Sequence, residues 1–193
     1  MRITGGSARG RHLIKPKAGW QFIRPTGDRV REALFNILDD EVVESTVLDL
    51  YAGTGALGIE ALSRGAATAI FVDQSRQALE LIHGNLTKCF PTAQASLQQL
   101  NLSRPDSIKR LRKKMPAELL FDIIFLDPPY EKKLAEKTLA MVERESLLQA
   151  NGLVVAEERA TEELAKQYGS LTLVDHRSYG ETGLWLYRMG EHS

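Results

Sequence analysis

The chain has 193 residues, with 25 lysines and arginines against 25 aspartates and glutamates, and one cysteine. That length holds one domain with a full core, balanced charge excludes a protein that is basic or acidic all over, and a lone Cys89 excludes an internal disulfide and fits a reducing cytoplasm. No apolar stretch reaches membrane length and the N-terminus lacks an apolar signal core, so a cytoplasmic protein with no membrane contact is expected.

Charge is unevenly placed. Up to residue 31 the chain carries Arg2, Arg9, Arg11, Lys15, Lys17, Arg24, Arg29 and Arg31 against Asp28 alone. Residues 1–27 therefore read as a basic arm and 28–193 as the main domain, the arm suiting a polyanion gripped at one place. Arg2-Ile3-Thr4 and His12-Leu13-Ile14-Lys15 can pair as a small hairpin across a glycine-containing loop. A helix is expected from near Arg29 to near Asp40, capped by Thr26 or Asp28, with Val30, Ala33, Leu34, Ile37 and Leu38 on its apolar face.

From Thr46 strands and helices alternate, as in a parallel α/β domain. Val47–Tyr51 reads as a strand, followed by the glycine turn 52–58 and a helix through Ser63. Thr68–Asp73 is a second strand, and Ser75 caps a helix facing the sheet through Ala78, Leu79, Ile82 and Leu86. A third strand is expected at Ala93–Leu97, a basic helix at 105–115, a fourth strand at Phe121–Leu126, a helix at Lys132–Leu148 and a fifth strand at Gly152–Ala156. A short acidic helix from Thr161 to Tyr168 and an antiparallel pair, Leu171–Asp175 and Leu184–Arg188, complete the chain. The expected architecture is an α/β Rossmann-like fold with a seven-stranded, mostly parallel sheet, an antiparallel last strand and helices on both faces.

Two stretches carry chemistry. Gly53-x-Gly55-x-x-Gly58 follows a strand and opens a helix, and Asp73 ends the next strand; this pattern suits an adenosine cofactor whose ribose meets the acid. It fits a nicotinamide dinucleotide as well as S-adenosyl-L-methionine. Asp49, four residues before Gly53, would oppose a diphosphate but not the cationic methionine end of S-adenosylmethionine. The second stretch is Asp127-Pro128-Pro129-Tyr130 after the fourth strand. Neither proline can continue a β-ladder, so the corner presents a carboxylate, carbonyls and an aromatic face, a set that suits a planar amine. Read structurally, the same residues are a strand end with Asp127 as a helix cap. Ligands in open α/β sheets sit outside the carboxyl ends of strands, so Gly53, Asp73 and Asp127 can serve one cleft.

Val47-Leu48-Asp49-Leu50-Tyr51-Ala52-Gly53-Thr54-Gly55 with Asp127-Pro128-Pro129-Tyr130 resembles the class I S-adenosylmethionine-dependent amino-methyltransferases. The flanks narrow the resemblance. Met1-Arg2-Ile3-Thr4-Gly5-Gly6, Gly10-Arg11, Arg24-Pro25-Thr26, Arg31 to Leu38, Gly58 to Ala66 and Tyr179-Gly180-x-Thr182 are similar to the 16S ribosomal RNA guanine-N2 methyltransferases, whose family name specifies guanine 966. The resemblance implies cofactor contacts at Asp49, Tyr51, Ala52, Gly53, Thr54, Gly55, Gly58, Asp73 and Gln74. It implies acceptor contacts at Asp127, Pro128, Pro129 and Tyr130, and RNA contacts at Arg9, Arg11, Lys15, Lys17 and Arg24. Where such enzymes often place an acid near the adenine, this chain offers Gln98, Gln99 or Asn101. Arg24 or Thr26 can alternatively touch the methionine end of the cofactor.

The implied reaction is direct transfer of the sulfonium methyl to guanine N2, with Asp127 and the Pro128 carbonyl accepting the amine hydrogens and Tyr130 stacking on the base. The implied partner is 16S rRNA in a 30S particle or assembly intermediate, the enzyme being a monomer without metal. Other acceptors on DNA or on a protein glutamine, an oxidoreductase, and an RNA-binding protein with a vestigial fold remain alternatives. The arm is expected to serve RNA and to be dispensable for the cofactor.

Overall fold

Alternation of short β-branched runs with amphipathic segments gives the chain its layered α/β build. The computed structural model describes residues 1–16, 27–130 and 133–190. They form two compact units, Met1–Gln99 and Leu100–Ser193.

The first unit contains helix α1 (Asp28–Leu38) with a 3-10 turn at Asp39–Val42, strand β1 (Thr46–Leu50), helix α2 (Ala56–Ser63), strand β2 (Thr68–Asp73), helix α3 (Arg76–Cys89) and strand β3 (Gln94–Gln99). Its strands lie in the order β3-β2-β1, all parallel, with Asp49 opposite Phe71 and Asp73 opposite Gln99. Val47, Leu48, Leu50, Ala69, Phe71 and Val72 are buried, as expected for strands covered on both faces. Ser75 caps α3 by accepting from the Ala78 N–H at 3.3 Å. α1 begins one residue earlier than expected, with Gly27 before it and no side-chain cap. Asp28 lies inside the first turn, where it accepts from the Arg31 guanidinium at 3.0 Å, while Thr26 lies outside the described residues.

The buried face of α1 also departs from its apolar pattern. Arg31 is fully buried beside Leu34, Phe35 and Leu38, while Val30 and Ile37 are half-buried. Arg31 reaches Glu60 of α2 at 3.2 Å. Glu60 also accepts from Thr4 N at 2.8 Å, Thr4 Oγ1 at 2.7 Å, Gly5 N at 2.7 Å and Arg64 Nε at 3.0 Å. The N-terminal segment is thus seated on α2. The expected hairpin is reduced to a single bridge between Arg2 and His12. Gly6 takes a left-handed φ of 72°, and a side chain there would run into the Ser63 carbonyl, so the Gly5-Gly6 pair lets the backbone lie against the helix.

The second unit contains helix α4 (Ser107–Arg112), strand β4 (Phe121–Leu126), helix α5 (Leu134–Arg144), and strands β5 (Leu148–Arg159), β6 (Gln167–Tyr168), β7 (Leu171–Tyr179) and β8 (Thr182–Met189). Their order is β4-β5-β8-β7-β6, with β4 and β5 parallel and β8 antiparallel to both its neighbours. α5 ends earlier than expected because Ser146 turns left-handed (φ 47°) and β5 already begins at Leu148. The acidic helix expected at 161–168 does not form. The edge of β7 offers its end backbone partners instead. That end becomes β6, and the Ala165 carbonyl accepts from the Tyr187 hydroxyl at 2.8 Å. That two-residue strand brings the described strands to eight, against seven expected.

Candidate active site

The residues expected to meet the cofactor are gathered in the first unit around the turn between β1 and α2. Tyr51 has a left-handed φ of 59°, a strained value for a side-chain-bearing residue and one common at functional turns. Gly53 N donates to Asp73 Oδ2 at 2.9 Å, and Asp73 Oδ1 accepts from Ser75 N at 2.8 Å. One carboxylate at the end of β2 therefore braces both the glycine turn and the start of α3. Gly55, also left-handed, is the N-cap of α2.

Asp49 is buried, and its Oδ2 accepts from Gly58 N at 2.9 Å. Burial pushes its carboxyl up to about 8, with the nearby Asp73 charge adding to the rise and the Gly58 N–H opposing it. A side chain at position 58 would run into the Phe71 ring and press on Asp49 Oδ2, so α2 can approach the sheet only with glycine there. An acid kept short of solvation beneath a bare glycine turn is suited to a cationic ligand, whose charge would favour the ionised form. The chemistry of this donor set thus fits S-adenosylmethionine better than a diphosphate. Ala52 and Thr54 are buried in the turn, Gly53 and Tyr51 are half-buried, and Gln74 is exposed at its edge.

The three amides proposed for the adenine edge separate. Gln99 donates from Nε2 to the Gln74 carbonyl at 3.1 Å, which places it at the strand ends beside Asp73. Gln98 is half-buried on β3. Asn101, in the second unit, spends its Oδ1 on Ser103 N at 3.0 Å and Ser103 Oγ at 2.6 Å.

The residues expected to meet the acceptor lie in the second unit, where β4 ends at Leu126, just before Asp127. Asp127 is half-buried, Pro128 buried and Pro129 exposed. The Tyr130 hydroxyl donates to Glu157 Oε1 at 2.8 Å and lies 3.5 Å from Thr182 Oγ1. Burial raises the tyrosine pKa, the Glu157 and Asp127 charges raise it further, and Thr182 acts the other way. The Arg159 guanidinium sits 5.6 Å from the centre of the Tyr130 ring. The ring is therefore fixed in place by β5 and β8. Sequence reasoning singled out Thr182 only as part of a late motif and missed Glu157 and Arg159. The signal was available in Val154-Val155-Ala156-Glu157-Glu158-Arg159, where an apolar strand ends in charge.

Of the basic residues, Arg9, Arg11 and Lys15 are exposed on the N-terminal segment; Lys17 and Arg24 lie outside the described residues. Arg11 also donates to the Cys89 carbonyl at the end of α3, at 3.1 Å. Ile14 N donates to Asn85 Oδ1 at 2.6 Å, so the segment rests on α3 as well as on α2.

The family model described as Conserved hypothetical protein 95 matches residues 1–188. Ribosomal RNA small subunit methyltransferase D of Haemophilus influenzae is 34% identical over 188 residues, covering 97% of this chain and 93% of the relative. A solved structure of the Escherichia coli protein yhhF is 32% identical with a TM-score of 0.81, covering 98% of both chains. An RNA methyltransferase from Salinibacter ruber, solved in complex with S-adenosyl-L-homocysteine, shares the fold at 13% identity, with a TM-score of 0.64 over 88% of this chain and 96% of that one.

Proposed function

We infer, from the premise that the chain belongs to the Conserved hypothetical protein 95 family, that it is an S-adenosylmethionine-dependent ribosomal RNA methyltransferase. It acts on 16S rRNA, and its acceptor is the exocyclic N2 of a guanine, number 966 by family resemblance. The observation that carries the acceptor chemistry is the corner Asp127-Pro128-Pro129-Tyr130 at the end of β4, its ring held by Glu157 and Thr182.

S-adenosylmethionine supplies an electrophilic methyl group when bound. Asp49, Gly53, Gly55, Gly58 and Asp73 would hold it, with Tyr51, Ala52, Thr54 and Gln74 lining the same turn and Gln98 or Gln99 nearest the adenine. Asp49 would face positive charge there. The Asp73 carboxylate, already accepting from two backbone N–H groups, has lone pairs left for ribose hydroxyls.

Guanine N2 is a poor nucleophile because its lone pair is delocalised into the ring. Asp127 and the Pro128 carbonyl would accept its two N–H groups and turn the lone pair outward. Pro129 keeps the corner rigid and Tyr130 gives the base a surface to stack on. Fixing that orientation can contribute several kcal/mol of the roughly 7–11 available from positioning. The N–C bond would form as the methyl–sulfur bond breaks, leaving the neutral thioether S-adenosylhomocysteine, and the proton would then pass to Asp127 or to water. The base must leave its stack, at a cost of a few kcal/mol that is least in a loop or bulge.

Residues 1–27 serve as the RNA-contacting arm and 28–193 as the catalytic domain, with Arg9, Arg11, Lys15, Lys17 and Arg24 on flanking phosphates. The substrate is the RNA within a 30S particle or assembly intermediate, met by a monomer in the bacterial cytoplasm. Among the described residues no helix is long and apolar enough to cross a membrane. The test is transfer of labelled methyl to 30S particles by wild type and Asp127→Ala. The variant should lose transfer while binding S-adenosylhomocysteine within a few fold of wild type; near-normal turnover would remove Asp127 from the mechanism.

A further inference from the structure

The first residue of the chain lies at the glycine turn. Thr54 is buried at 3% exposure, and its Oγ1 donates to Met1 Sδ at 3.5 Å. The backbone from Met1 to Gly5 is held by several hydrogen bonds. The Met1 carbonyl accepts from Leu13 N at 3.4 Å, and the Arg2 carbonyl accepts from the buried Arg31 guanidinium. Thr4 and Gly5 are bonded to Glu60, and the Gly5 carbonyl accepts from Ser63 Oγ at 2.6 Å. Ile3 is buried at 1% exposure.

We propose that Met1 is a positioning residue of the cofactor site, its thioether fixing the Thr54 hydroxyl and, through it, the turn Gly53–Gly55 that receives the methionine end of the cofactor. This rests on the cofactor reading above. A thioether is a weak acceptor, so the bond alone is small. A thioether side chain also fills irregular gaps well, and loss of the acceptor would leave a buried hydroxyl to find another. The arm is then not an RNA element alone. Its first residue belongs to the cofactor side, in contrast to the expectation that the arm is dispensable there.

The experiment uses full-length chains released from a removable N-terminal fusion that leaves no extra residue, so that position 1 can be changed freely. Titration calorimetry with S-adenosylhomocysteine should show Met1→Ala binding about three- to tenfold more weakly than wild type, with the ligand-free melting temperature and the affinity for 30S particles little changed. Thr54→Val, which removes the donor at constant volume, should weaken binding into the same range. Adding Met1→Ala to Thr54→Val should then change the dissociation constant less than twofold, because the two residues act through one contact. Wild-type affinity in Met1→Ala, or effects of the two substitutions that multiply, would overturn the proposal. Failure of the wild type itself to bind would overturn the cofactor reading instead, so the two failures are distinguishable.

Discussion

Arg31 and Glu60 meet at 3.2 Å with both side chains shut off from solvent, and this pair ties the first residues of the chain to α2. A buried charge left without its partner is costly, so Glu60→Ala should destabilise the fold by about 3–5 kcal/mol. Urea unfolding measures it. A loss under about 1 kcal/mol would show the pair to be exchangeable with water.

Asp49 gives the chain a pH dependence of definite sign. Its carboxyl is held up to about 8 in the folded state by burial, against 3.8 as the ordinary value. Between those pH values the folded chain binds more protons than the unfolded one, so the contribution of Asp49 to stability falls as pH rises through that window and levels off above about 8. Asp49→Asn should remove that part of the decline in melting temperature across the window from 3.8 to about 8. A cationic ligand favours the carboxylate, so S-adenosylmethionine binding should release a proton and tighten as pH approaches 8 from below. Calorimetry in buffers of different ionisation enthalpy reads that proton directly.

Tyr130 has two separable parts, a ring and a hydroxyl fixed by Glu157. Tyr130→Phe keeps the stacking surface and should lower kcat only about two- to fivefold, whereas Tyr130→Ala removes it and should cost about 1–3 kcal/mol of base stacking, read in kcat/KM for the RNA. Equal losses in the two variants would move the role from the ring to the hydroxyl.

RNA affinity should fall steeply with salt, since the exposed Arg9, Arg11 and Lys15 are suited to phosphates. Arg9→Ala should weaken binding to every RNA alike and reduce the slope of log affinity against log salt by about 1. An unchanged slope would show that Arg9 touches no phosphate.

Much of this was legible in the sequence, and the limits have physical causes. The strands Thr68–Asp73 and Phe121–Leu126 were bounded correctly because each apolar run ends in an acid or at a proline. The glycine turn was legible because Gly58 answers a local requirement, the approach of α2 to Phe71. Arg31 and Glu60 were not, since a charged residue inside an amphipathic helix reads as solvated until its partner is known, and here the partner lies 29 residues away. The helix expected at 161–168 failed for a similar reason. Local propensity favoured it, but the edge of β7 offered backbone partners that the local sequence does not reveal. Glu157 and Thr182, which hold Tyr130, come from two strands paired in antiparallel register.

The acceptor atom can be read by incubating 30S particles from a strain lacking this enzyme with labelled S-adenosylmethionine and the protein, then digesting the 16S rRNA and mapping the modified nucleoside. The label should appear as a single N2-methylguanine in 16S rRNA, at position 966, and be absent with Asp127→Ala. Label on another atom or another base, or none with wild-type protein that binds the cofactor, would contradict the proposed function.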